Sequence, residues 1–184
     1  MEAVLNTISA SAGVKPRMTA ETLDALYRAY YKNVYNYICF RINNHFDAED
    51  LACAVFEKAL GARFNPDTPG EAWLITIAKN VVTDYFRARG RRSFVALETI
   101  FGLASEKKQP DEVVVQDEQN RALIAAMSRI SDRERQILSL KFATDLKHDE
   151  IAKIMHTSSS NVGVIVHRAL KKLKNFLEED EHGQ

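Results

Sequence analysis

Cysteine is scarce: Cys39 and Cys53 are the only two in 184 residues, too few for a disulfide framework to hold the fold. Both fall in helical, largely apolar stretches and are expected to be buried free thiols, with a redox or metal role as the alternative. No Cys-x-x-Cys or His-x-x-x-His spacing accompanies them, so zinc is not indicated and no cofactor is expected. No apolar run approaches the roughly 20 residues that span a bilayer, which argues against membrane insertion. Glu2 and scattered polar residues stand where a secretory signal would need an apolar core, and a cytoplasmic protein is expected. Net charge is absent too, 25 basic residues balancing 25 acidic ones. That balance argues only against indiscriminate coating of DNA.

The charge that is present is segregated. Arg87, Arg89, Arg91 and Arg92 cluster with no acid among them, as do Arg168, Lys171, Lys172 and Lys174. Acids gather in Asp47-Ala-Glu-Asp50, between Glu106 and Glu118, and in Glu178-Glu-Asp-Glu181. Local patches set what a protein binds, so basic clusters remain candidate contacts for nucleic acid. Apolar content of 46% and charged content of 27% are ordinary for a globular chain, whose length suits one medium domain or two small ones.

The pattern is helical nearly throughout, with no stretch of strand-like alternation. An amphipathic helix is predicted from Glu21 to Ile42, with Leu23, Leu26, Tyr27, Tyr30, Val34, Tyr37 and Ile38 on one side. A second begins near Asp47, where acids suit the positive end of the helix dipole, and ends at Gly61; it is expected to bury Leu51, Val55, Phe56 and Leu60. A proline-containing loop follows, and Thr68-Pro-Gly-Glu71 reads as a capping box opening a third helix.

That third helix, to Arg92, places Trp73, Leu74, Ile77, Ala78, Val81, Val82, Tyr85 and Phe86 on a broad apolar stripe. Thr76, Lys79, Asn80, Thr83 and Arg87 fall opposite. Cations neutralise phosphates, and Asn and Thr hydrogen-bond base edges, so the polar face suits nucleic acid. Taken alone, the helix is equally well read as a core helix with a solvated face.

Residues 93–116 keep no period, contain Gly102 and Pro110, and read as a linker. A second helical module begins near Asp117. Ser131-Asp-Arg-Glu134 is a capping box, and short helices are predicted from Asp149 to Met155 and from Ser159 to Leu177, with a frayed tail beyond Glu178. Small Ala152 permits a close crossing, Val162 packs back, and Ser158 caps the second helix. Two short helices so joined suggest a helix-turn-helix, which would offer Ser159, Ser160 and Asn161 to a major groove; a plain helical hairpin is the alternative.

The two modules together resemble the sigma-70 family of bacterial transcription initiation factors, within it the extracytoplasmic-function group that keeps only regions 2 and 4. The first module carries Asp47-Ala-Glu-Asp-Leu51 with Phe56, Trp73-Leu-Ile-x-Ile-Ala-x-Asn80, Asp84 and the arginine run. The second carries Arg133-Glu-Arg-Gln-Ile-Leu138, Glu150-Ile-Ala152, Asn161-Val162 and His167-Arg-Ala169. The resemblance implies an all-α fold of two small helical domains joined by a linker, the second a helix-turn-helix of the winged-helix-like region 4 type. The plan would be an N-terminal extension at 1–18, a region 2-like domain at 19–92, a linker at 93–117, a region 4-like domain at 118–178 and an acidic tail at 179–184.

Residue roles follow from the resemblance. Asp47, Glu49, Asp50 and Phe56 would dock on the clamp helices of core RNA polymerase, region 4 would meet its flap, and Phe56 would be the apolar anchor. Lys79, Asn80, Thr83, Arg87, Arg89, Arg91 and Arg92 would lie at the promoter −10 element. Phe64 and Asn65 would line a pocket for a flipped base, although Phe64 serves equally as a core cap. Ser159, Ser160, Asn161, His167, Arg168 and Lys171 would read the −35 element. An anti-sigma protein is an implied partner.

This chain departs from the family in four places. Ala52-Cys-Ala54 replaces a polar run, Lys147 stands where a Ser or Thr cap is usual, and His156 occupies the turn position usually held by glycine. Gly163-Val-Ile165 replaces basic residues of the recognition helix, so −35 reading is expected to be weak, with Val164 set against a thymine methyl. No carboxylate pair, triad or phosphate loop is visible, so no catalytic role is expected. A helix-turn-helix regulator acting without polymerase is the alternative function.

Overall fold

The computed structural model describes residues 18–42, 44–64, 68–89, 122–123 and 125–182. Its elements are α1 (Ala20–Ile42), α2 (His45–Gly61), α3 (Gly70–Ala88), α4 (Asp132–Ala143), α5 (His148–Ile154) and α6 (Ser159–His182), with further helical residues between 122 and 129. The fold is all-α, with no strand among the elements of the described residues. The expected linker, the arginines at 91 and 92, and Asn65 lie outside those residues.

Helices α1, α2 and α3 pack on one another. Leu26, Val34, Tyr37 and Ile38 of α1 meet Ala52, Val55 and Ala59 of α2, and Leu74, Ile75, Ala78, Val81 and Val82 of α3. Each fully buried large aliphatic side chain contributes about 1.5–3 kcal/mol relative to exposure. Gly70 opens α3 where a Cβ would stand 2.6 Å from Leu26 Cδ2, so its lack of a side chain permits the close approach to α1.

The helix starts depart from expectation in two places. Asn44, rather than the acidic run, caps α2: its side chain accepts from the Asp47 amide at 3.2 Å, and Asp47 falls in the first turn. The Thr68–Glu71 capping box does not form. Pro69 is the cap residue without a side-chain bond, because the Glu71 carboxylate turns to Asn33 and to the Asp145 amide instead. Two side chains expected inside are also turned out. Leu60 is 51% exposed, and Cys53 is an exposed free thiol whereas Cys39 is buried. Cys53 is one residue, about 100° of helix, from buried Ala52, which carries it off the packed stripe.

In the second module the Ser131 box forms as expected. Ser131 Oγ accepts from the Glu134 amide at 3.3 Å, and the Glu134 carboxylate accepts from the Ser131 amide at 2.8 Å. Ser131→Ala is expected to lower stability by about 1 kcal/mol, measured as a shift of the urea unfolding midpoint at constant slope.

Helix α5 ends in a Schellman turn: the His156 amide donates to Lys153 O at 3.4 Å and the Thr157 amide to Ala152 O at 2.9 Å. His156 takes the left-handed conformation this turn needs, at φ 50°. Ser158 then caps α6, its Oγ accepting from the Asn161 amide at 3.1 Å. Buried Ile151, Ala152 and Val162 bring the two helices together. Helix α6 continues to His182 instead of fraying after Glu178. Glu178 pairs with Lys174 at 3.5 Å, Glu179 pairs with Arg129 at 2.8 Å, and the Arg129 guanidinium lies over the Phe176 ring.

Candidate nucleic-acid and polymerase interface

Burial of Leu74, Ala78, Val81 and Val82 fixes the rotation of α3 and turns Asn80, Thr83 and Arg87 to the exposed side. The Thr83 hydroxyl donates back to Lys79 O at 2.7 Å, so toward a base it offers its oxygen as an acceptor. Arg87 pairs with Asp84 at 2.8 Å while its side chain stays 76% exposed, an arrangement a phosphate can displace. Arg89 caps the helix end and pairs with Asp47 at 2.8 Å. Lys79 points elsewhere: its ammonium donates to the carbonyl of Ile154, the last residue of α5, at 3.0 Å. Phe64 is 2% exposed and packs edge-to-face on Trp73 at 5.1 Å between ring centres, the placement of a core cap.

The acidic end of α2 presents Glu49 and Asp50 outward. Asp47 is instead half-committed inward, accepting from the Tyr85 hydroxyl at 2.6 Å as well as pairing with Arg89. Burial, then the hydrogen bond to Asp47, pushes the Tyr85 hydroxyl up to about 12. Phe56 is buried beneath Tyr27 and Tyr31, so its ring supports α1 and is not offered to a partner. The exposed ring beside the acids is Phe46, at 76%. Sequence reasoning passed over Phe46; its signal was a large apolar residue directly preceding a run of acids at a helix start. Glu49 also pairs with His45 at 3.4 Å, and His45 is in contact with the Tyr35 hydroxyl.

In the helix-turn-helix, Ser160, Asn161, Val164, His167, Arg168 and Lys171 are exposed on α6 and Ser159 is half-buried. Asn161 Nδ2 donates to Thr157 Oγ1 at 2.7 Å, which holds its amide across the turn. Lys172, on a neighbouring face, pairs with Glu134 at 2.7 Å and ties α6 to α4.

The modules also touch each other, which the sequence reading did not foresee. Arg41, 6% exposed, donates to the Asp132 carboxylate at 2.9 Å. Asn33 Nδ2 donates both to Glu71 at 2.8 Å and to Asp145 at 3.0 Å, and the Asp145 amide donates to Glu71 at 3.1 Å. Burial pushes the Glu71 carboxyl above its ordinary 4.5; the hydrogen bonds from Asn33 and Asp145 oppose this, and the Asp145 and Glu150 charges add to it. Glu134 shifts the other way: burial acts upward, but hydrogen bonds from Lys172 and Ser131 outweigh it and hold the carboxyl below 4.5.

These opposite shifts have opposite consequences for stability. For Glu71 the folded chain binds the proton more tightly, so its contribution is fully present below pH 4.5 and is lost as pH rises through the higher folded value. For Glu134 the contribution is present above pH 4.5 and is lost as pH falls through the lower folded value. Relative to the unaltered chain, Glu71→Gln is expected to gain stability on going from acid to neutral pH, and Glu134→Gln to lose it. Urea midpoints between about pH 3.5 and 7 measure both, and slopes of the same sign would contradict the assignment.

A three-helix unit with an exposed amide, hydroxyl and cation face, followed by a helix-turn-helix, defines a two-module all-helical protein with candidate nucleic-acid-binding faces. The comparisons give the class its family. The profile of Sigma-70 region 2 matches residues 26–92, and that of Sigma-70, region 4 matches residues 120–173. The chain is 30% identical over 158 residues to the RNA polymerase sigma factor YlaC of Bacillus subtilis, covering 84% of this chain and 91% of that one. It is 29% identical over 164 residues to the ECF RNA polymerase sigma factor BldN of Streptomyces coelicolor, covering 88% of this chain; the chain spans 62% of that relative's length. The fold matches the sigma factor RpoE crystallised with the anti-sigma factor NepR from Bartonella quintana, with a TM-score of 0.68 at 20% identity over 88% of this chain and 99% of that one. The chain belongs to the sigma-70 family, in its extracytoplasmic-function group.

Proposed function

We propose that this chain is a dissociable subunit of RNA polymerase that recognises −10 and −35 promoter elements and promotes DNA melting. The observation that carries the reading is the α3 face: Asn80, Thr83 and Arg87 stand exposed on a helix whose other side is fixed in the core. Unstacked bases present hydrogen-bonding edges and phosphates, and this face supplies matching groups. Glu49 and Asp50, with Phe46 as the exposed apolar ring, form the surface we assign to the polymerase clamp helices; Asp47 orients it through Tyr85 and Arg89. The chain brings no catalytic group of its own and acts in the cytoplasm beside the polymerase, which performs the chemistry. Residues 19–92 form the polymerase and −10 module, 93–117 the connection, and 118–178 the −35 module, which also meets the flap. An anti-sigma protein is a further proposed partner, in keeping with the RpoE structure named above.

On α6, Ser159, Ser160 and Asn161 at the helix start and His167, Arg168 and Lys171 beyond it are the −35 contacts. With Gly163-Val-Ile165 between them, few direct contacts remain, so Ser160→Ala is expected to change promoter affinity by less than about tenfold. Strong −35 protection in a footprint, abolished by that substitution, would count against this assignment. The test of the function is run-off transcription with core polymerase on promoters selected from a genomic library. A promoter-dependent transcript that needs the added chain is expected; DNA binding without such a transcript would favour a regulator acting through the helix-turn-helix alone.

A further inference from the structure

A pair of side chains at the start of α6 limits which base that helix can read. Asn161 Nδ2 donates to Thr157 Oγ1 at 2.7 Å, across the turn closed by the Ser158 cap. Thr157 is itself fixed, its amide donating to Ala152 O at 2.9 Å. The Asn161 amide is thereby held at one rotation, with Oδ1 and one Nδ2 hydrogen unspent. An acceptor beside a donor on one planar amide matches adenine, which offers its N6 amino group and N7 in the major groove. Guanine offers two acceptors there, O6 and N7, so Oδ1 would face a lone pair. The neighbouring Ser160 hydroxyl both donates and accepts, which adds contact without choosing a base.

Three residues on, along the same face, Val164 is 42% exposed. Its neighbours are turned away. A Cβ on Gly163 would stand 3.8 Å from His148 Nδ1 of α5, and Ile165 packs against the core. Three residues advance the helix by about 4.5 Å, close to one base step of about 3.4 Å in B-form DNA. At that place an isopropyl group meets the C5-methyl that only thymine carries into the major groove. Residues 159–166 hold no Lys or Arg to bridge guanine, and no Asp or Glu to accept from the cytosine amino group. Arg168 and Lys171 follow beyond the helix start, where base edges are contacted, and are placed for phosphates. We propose that the −35 element of this chain is specified at A·T pairs alone. Asn161 reads adenine with Thr157 as its positioning residue, Val164 reads thymine on a neighbouring pair, and no G·C pair is read. The proposal rests on the promoter-binding function given above and names the bases that function requires.

The test uses core polymerase carrying this chain and a promoter that this holoenzyme transcribes. The −35 segment is randomised, and the DNA retained by the holoenzyme is sequenced. Two neighbouring A·T pairs are expected to be enriched at least fivefold, and no G·C pair. Deoxyuridine in place of the enriched thymine, which removes only the methyl, is expected to weaken binding severalfold, and Val164→Ser to erase that penalty. Thr157→Val keeps the side-chain shape and removes the acceptor. It is expected to lose about tenfold on the adenine promoter, to stay within about twofold on one with guanine in its place, and to be rescued by Thr157→Ser. An enriched G·C pair, a selection with no pair enriched, or deoxyuridine bound as tightly as thymine would overturn the proposal. Equal losses for Thr157→Val on both promoters would do the same, since a merely structural threonine weakens every sequence alike. Should Thr157→Val not fold, the selection and the deoxyuridine substitution decide. A mixture that retains no promoter beyond what core polymerase retains alone would be a different failure, that of the promoter-binding reading itself.

Discussion

Asn80→Ala is expected to reduce open promoter complexes by about 5- to 150-fold, the range for loss of one good amide-to-base contact worth about 1–3 kcal/mol. Core polymerase affinity is expected to stay within about twofold. The split follows from position: Asn80 is exposed at mid-helix on α3, while the surface assigned to polymerase lies at the start of α2. The replacement keeps the helix, since alanine is the best helix former, and removes no buried atom. Open complexes counted by heparin-resistant filter binding, beside a core-binding titration, separate the two effects. Equal losses in both would mean that Asn80 acts through the fold or through polymerase docking.

Leu74→Ala is expected to remove about 2–5 kcal/mol of stability, the cost of a cavity plus lost transfer energy at a fully buried leucine. A domain has only about 5–15 kcal/mol in total, so the change takes a large share. Leu74 packs with Ile75, Ala78, Val81 and Val82 against α1 and α2, and this packing sets the rotation of α3. Truncation should therefore also impair promoter opening at temperatures where the chain remains folded, in contrast to Ser131→Ala. Urea unfolding gives the stability change, and a loss below about 1 kcal/mol would contradict the core assignment.

The helices were legible because burial repeats every three to four residues along α1 and α3, and because Ser131 with Glu134, and Ser158 with the Asn161 amide, cap their helices locally. The left-handed His156 turn was legible for the same reason: its requirements are all within a few residues. Where a side chain had a choice of distant partners, local reading failed. Glu71 fitted a capping box in sequence, yet its carboxylate joins Asn33 and Asp145, 38 and 74 residues away. Arg41 and Asp132 are separated by 91 residues, and no spacing rule pairs them. The family resemblance made Phe56 a docking anchor, whereas helical spacing placed it among the buried residues of α2, and it lies under Tyr27 and Tyr31. Of the proposed −10 residues, Asn80, Thr83 and Arg87 share the exposed face, whereas Phe64 is in the core and Lys79 is held by α5.

The measurement that bears most directly on the account is permanganate reactivity of promoter thymines at the −10 element, with core polymerase alone, this chain alone, and the two together. Only the mixture is predicted to make those thymines reactive, with reactivity falling severalfold when Asn80→Ala replaces the unaltered chain. Thymines that stay protected in the mixture on a promoter the mixture binds would contradict the claim that α3 opens DNA.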